Sequence, residues 1–220
     1  MPRREKPSDP PRARPWRAAA AVAITLALVA AAVVALGRLG DEALSRVAPD
    51  DRYRTPFADI RCDAPPGSDR PTFLAEVRYV GSLPEMVNAL DPADRDRLAT
   101  GFDKHPWVEV VEGVTAEPGG AVNVSLRFRT PVLAVETTDG ERRMLDRHGV
   151  LLPLGPTPAG VAELSGTIPP PRFAAGEVWQ DADVRRVVEL TTAYGAKRLE
   201  KQLGGWKLTL AGGKQLVVGR

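Results

Sequence analysis

The chain has 220 residues, 43% of them hydrophobic, and its 30 basic and 28 acidic residues leave a formal net charge of +2. That length leaves room for one or two modest domains and excludes a large multidomain enzyme. The two signs of charge interleave along most of the chain, which excludes a nucleic-acid face of clustered Lys and Arg, and one cysteine with two histidines excludes an intrachain disulfide and the usual Cys/His zinc sets. Carboxylate-only metal sites stay open, but no cofactor is expected, and packing and backbone pairing must hold the fold.

Residues 1–17 carry Arg3, Arg4, Lys6, Arg12, Arg14 and Arg17 among Pro2, Pro7, Pro10, Pro11 and Pro15. This composition predicts a disordered basic tail held near anionic lipid. Residues 18–37 contain no charged side chain. As a helix this alanine- and valine-rich run spans about 30 Å, the thickness of a bilayer's hydrocarbon core. It is longer than the apolar region of an ordinary signal peptide, although its Ala-x-Ala steps leave a cleaved signal as the alternative. Beyond it, Arg38 and Arg46 are mixed with Asp41, Glu42, Asp50 and Asp51, so the basic excess precedes the span. The tail is therefore expected in the cytoplasm and residues 38–220 outside it, with Trp16 as an interfacial anchor at the cytoplasmic (inner) membrane.

Residues 38–70, with Pro49, Pro56, Pro65, Pro66 and Gly67, read as a membrane-proximal linker with a short helix at its start. Order is expected from Pro71. Thr72 to Val80 reads as a strand, with Phe73, Val77 and Tyr79 broadly alternating against Glu76 and Arg78, and Leu83 to Leu90 as one or two helical turns. Asp91-Pro92 is a helix start, because Asp accepts from orphan amides and Pro at the first position loses no needed donor. Leu98 and Phe102 share a face of that helix, which must stop before Pro106. Trp107 to Val114 is rich in β-branched residues; after a turn at Pro118-Gly119-Gly120, Val122, Val124, Leu126 and Phe128 alternate with polar residues as a half-buried strand does. The expected order is strand, helix, helix, hairpin, with two helices on one face of a three-stranded sheet.

A second hairpin is expected from Val132 to Thr137 and Arg142 to Leu145 around Asp139-Gly140. His148-Gly149 marks a turn before Val150-Leu151-Leu152, and a proline-rich stretch follows, through Pro169 to Pro171. A helix is predicted from Asp183, with Val184, Val187, Val188 and Thr191 on one side, weakened by Gly195 and closed by Gly204-Gly205. Trp206 to Leu210 and Gln215 to Val218 form a last hairpin around Ala211-Gly212-Gly213. The fold class read from these elements is α+β.

Few residues invite a chemical reading. His148 beside Asp146 has the residue types of an acid–base pair, but both fall in a short turn with Gly149 and no nucleophile is implied nearby. His105 reads as a helix-end residue at the negative end of the dipole. Cys62 lacks a partner in a proline-rich segment. The pieces around Gly204-Gly205 and Gly212-Gly213 lack the Lys-Ser/Thr of a phosphate loop. Trp107 and Trp206 read as fillers of small cores.

The succession Pro106-Trp107-Val108, Val114, Pro118, Val122 to Arg129, Arg129-Thr130-Pro131 and Leu145-Asp146-Arg147-His148-Gly149 resembles the FtsQ/DivIB family of bacterial cell-division proteins. Leu164-Ser165-Gly166, Trp206-Lys207-Leu208-Thr209-Leu210 and Val218-Gly219-Arg220 also look like that family's β domain. The resemblance implies a cytoplasmic tail (1–17), a transmembrane helix (18–37), a linker (38–70), a POTRA-like domain (71–131) and a small mixed β domain (132–220). It implies a non-enzymatic single-pass scaffold of the division machinery with FtsB- and FtsL-like partners. Strand addition at the terminal sheet edge, through Leu216, Val217 and Val218, is the expected mode of binding. The chain departs from the family pattern at Arg127 or Phe128, where an acidic residue is common, and in a short first POTRA helix. The family's β domain usually continues past the point corresponding to residue 220, with a last helix and strands on which FtsB and FtsL dock; were that portion absent, the principal partner site would be missing or rebuilt. The alternatives are a POTRA-containing transport or secretion component of the envelope and an anchored enzyme of unrecognised type.

Overall fold

The computed structural model describes residues 15–47, 53–117 and 120–219. The expected basic tail therefore lies outside the described residues up to residue 14, as do Pro118 and Gly119 of the expected turn and the side chain of Trp16. The chain divides into two units, Met1–Pro49 and Asp50–Arg220.

The first unit is a helix, α1 (Pro15–Val47), of 33 residues. Alanine and leucine dominate it, both strong helix formers, and no proline follows Pro15, which suits a first helical turn. Within it Val22–Gly40 is a stretch of 19 residues with mean hydropathy 2.3, none of it buried. It is long and apolar enough to cross a membrane. The helix continues through the charged residues 38–47, the start of the expected linker.

The N-terminal half of the second unit runs through β1 (Thr55–Pro56), a 3-10 turn (Phe57–Asp59), α2 (Arg70–Gly81), β2 (Met86–Val87), α3 (Pro92–Asp103), β3 (Val108–Ala116) and β4 (Val122–Phe128). Two expectations are corrected here. Thr72 to Val80 is helix, not strand: the Asp69 carboxylate accepts from the Thr72 amide at 2.9 Å, Pro71 occupies the first turn, and Phe73, Leu74 and Val77 form a buried helical face. Tyr79, the last member of the supposed alternation, is 87% exposed. Leu83 to Leu90 is an extended passage holding β2, antiparallel to β1, rather than helical turns.

The first strand of the unit comes instead from the expected linker. Phe57 and Ile60 are buried in the core, and Arg61 exchanges backbone hydrogen bonds with Val122 and Val124, each 2.8 Å, on the flank of β4. The expected three-stranded sheet is replaced by two two-stranded sheets, β1-β2 and β3-β4, with β2 between the two helices and Arg61 joined to β4 by an isolated parallel bridge. Phe57, Phe73 and Phe102 meet at the centre of this half, Phe57 stacked on Phe102 and Phe73 tilted against it, with centroids 6.1 Å apart in both pairs. α2 and α3 approach at Gly81 and Gly101, where a Cβ on Gly81 would lie 2.9 Å from the Gly101 Cα.

The C-terminal half contains β5 (Pro131–Thr137), β6 (Arg142–Asp146), β7 (Ala162–Ile168), α4 (Ala182–Tyr194), β8 (Ala196–Gln202), β9 (Gly205–Leu210) and β10 (Gln215–Gly219). They form a six-stranded sheet in the order β10-β9-β8-β7-β5-β6. β7 is parallel to both β5 and β8, and the other pairings are antiparallel. α4 crosses between the parallel strands β7 and β8, and its Val184, Val187, Val188 and Leu190 pack with Leu133, Leu164, Leu199 and Leu208 in the second core. The helix ends at Gly195, in the left-handed region at φ 61°, not at Gly204-Gly205 as expected. Gly204 turns β8 into β9 instead.

Candidate functional site

The expected site residues Leu216, Val217 and Val218 lie on β10, the last strand of the sheet. The strand is built by a tight hairpin: the Leu210 amide donates to the Lys214 carbonyl at 2.8 Å, and Gly212 and Gly213 supply φ of 84° and 83°. Its register against β9 pairs Leu216 with Leu208, Val217 with Lys207 and Val218 with Trp206. Gly205, opposite Gly219, is required by close approach, since a Cβ there would overlap the Val218 carbonyl oxygen. Leu216 and Val218 turn inward and pack against the second core, while Val217 is 67% exposed on the other face.

The two ends of the sheet differ. At β6 the end is covered, because Leu152 donates to the Met144 carbonyl at 2.9 Å and the Asp146 amide to the Val150 carbonyl at 3.1 Å. At β10 no further strand pairs among the described residues. Its outer row of N–H and C=O groups, on a stretch with no charge from Gln215 to Gly219, has the geometry that accepts an added strand. The polar face of the sheet is laced by cross-strand ion pairs. Glu163 lies 2.5 Å from Arg142 and 3.4 Å from Arg198, and the hydrogen bond and charge of Arg142 hold its carboxyl below the usual range.

A second arrangement lies where the two halves join, around the Arg129-Thr130 connector. The Arg129 guanidinium is 2.8 Å from the buried Asp146 carboxylate, whose other oxygen accepts from the His148 and Val150 amides at 2.8 and 2.9 Å. Glu109 on β3 meets Arg147 at 2.6 Å, His148 at 3.4 Å and Arg127 at 3.7 Å. Burial raises the Glu109 pKa, but the hydrogen bond and charge of Arg147, joined by Arg127 and His148, outweigh it and hold the carboxyl below its usual value. Glu109, Thr130, Val132, Asp146 and Arg147 line a hollow of about 50 Å³. The sequence suggested Asp146 and His148 as neighbours in a turn; it gave no sign of Glu109 or Arg129 as partners of that turn, because β3 and the connector are brought to it only by the fold.

The remaining candidates have structural surroundings. His105 is buried, with Nε2 3.2 Å from Glu76 on α2, the Trp107 amide 3.3 Å from Nδ1 and its ring edge-on to Phe73 at 4.9 Å. With Nδ1 accepting, the proton belongs on Nε2. Cys62 packs against the first core, and burial pushes its thiol up to about 11, with Arg70 lowering and Asp63 raising it by less, so little thiolate forms near neutral pH. Trp107 is half-buried and Trp206 buried in the second core. Among the described residues no cluster of His, Cys, Asp and Glu could hold a metal ion. No protein-family model matches the chain, and no curated protein matches it.

Proposed function

We propose that the chain is a non-enzymatic, single-pass scaffold of the bacterial cell-division machinery. In this reading α1 crosses the cytoplasmic membrane with the basic tail inside, and the unit from Asp50 holds an extracytoplasmic POTRA-like module followed by a β domain. That unit gathers other division proteins, FtsB- and FtsL-like by the resemblance, through strand addition. The observation that carries the proposal is the apolar edge of β10, unpaired among the described residues, with Leu216 and Val218 already turned into the core and Val217 outward. An added strand would continue the backbone ladder and extend the apolar face under it. Further support comes from the two helices followed by the β3-β4 hairpin and from the meeting of the two motif segments, Arg129-Thr130-Pro131 and Leu145 to Gly149, through the Arg129–Asp146 pair.

The test is a fluorescent fusion at the amino terminus, expressed at native level, together with depletion of the protein. Accumulation at the division plane and filamentous cells on depletion are expected; an even membrane distribution with normal division would overturn the proposal. Val217→Lys, which places a charge on the exposed side of the edge while sparing the core, is expected to keep the protein folded and abolish recruitment of its partners.

A further inference from the structure

Beyond recruitment, we infer that the turn Asp146-Arg147-His148 latches the two halves of the extracytoplasmic unit so that they move as one rigid body. Each half has its own core, and the two cores share no residue. The covalent connection between β4 and β5 is only Arg129 and Thr130. Halves joined in this way are expected to swing unless a second tie fixes them.

The turn supplies two ties, beside the approach of Gly176 to Pro106. Asp146, 2% exposed at its side chain and already held by the His148 and Val150 amides, grips Arg129 and clamps the connector to the C-terminal half. That alone would leave a swivel. Arg147 and His148 then reach to Glu109 on β3, which shares a small hollow with Thr130 of the connector and is steadied from β4 by Arg127. Two anchorages leave only rotation about the line joining them, and the approach of Gly176 to Pro106 opposes that rotation. Glu109 is only 14% exposed at its side chain, so its attraction to Arg147 is screened less than that of an ordinary surface pair. The same turn is where acid–base chemistry would be sought from sequence; its polar atoms are instead occupied in joining the halves.

The experiment measures the distance between spin labels on the full chain in lipid nanodiscs. Tyr79→Cys on α2 and Leu203→Cys in the β8–β9 turn, both highly exposed, report on one half each in a Cys62→Ser background. A single narrow distance distribution is expected for the parent. Arg147→Glu sets a carboxylate against Glu109 and should at least double the width of the distribution, and Glu109→Gln, nearly the same shape without the charge, should broaden it by less. Arg147 is half exposed, and circular dichroism checks that both variants stay folded. A broad distribution in the parent, or unchanged widths in both folded variants, would overturn the inference.

Discussion

The side chains whose chemistry looks most reactive are those most occupied by folding. Burial lowers the His105 pKa, with the hydrogen bond and charge of Glu76 opposing and only partly offsetting that effect. The folded protein therefore binds a proton less readily than the unfolded chain. The contribution of His105 to stability is full above the unfolded pKa and declines as pH falls through it toward the lower folded value. Glu109 adds a separate, more acidic window: its folded pKa lies below 4.5, so its contribution is present above the unfolded value and is lost as pH falls through the folded one. Chemical denaturation of the full chain in detergent between about pH 8 and about pH 5 should show the midpoint falling with acid, and the slope should be shallower in His105→Gln. A midpoint equally steep in that variant would assign the acid sensitivity to other groups.

At the level of elements, the strongest prediction concerns β10. Because Gly205 leaves no room for a Cβ beneath the Val218 carbonyl, Gly205→Ala should loosen β10 from β9 and leave the central strands in place. Hydrogen exchange would show Gln215 to Gly219 losing protection at least tenfold, as for a strand whose ladder opens locally, while β5 and β7 keep theirs. Retained protection would mean that the two backbones do not approach so closely. The elements legible in advance were those with a strong local signal: α3 from Asp91-Pro92, β4 from its clean alternation and the last hairpin from its glycines. α2 was misread because Phe73, Val77 and Tyr79 mimic alternation, although Asp69 and Pro71 carried the helix-start signal. β8 was hidden because Lys197-Arg198-Leu199-Glu200-Lys201-Gln202 buries only Leu199 beyond Ala196, and β7 because it carries few large apolar residues. Such strands take their place from parallel pairing and from the cover of α4, neither of which leaves a period in the sequence.

For the molecule as a whole, the proposed orientation, with α1 across the membrane and the unit from Asp50 outside it, is directly testable. Protease added to intact spheroplasts should degrade everything after Asp50 while protecting a small fragment that contains α1. Reversing the basic excess, by replacing Arg3, Arg4, Arg12 and Arg14 with Glu, should lower the fraction that is degraded. Full protection in the parent chain would place the folded unit on the cytoplasmic side.

By itself the sequence determined the apolar helix, the α+β class and the hairpins, because each rests on residues near one another in the chain. Only the tertiary structure decided that Phe57 and Ile60 belong to a core, that β10 ends the sheet while β6 is covered, and that Glu109, Arg129 and Asp146 meet. Those outcomes depend on which surfaces exclude water together and which strands find a parallel partner. Contacts of that kind join distant residues and leave little local pattern to read.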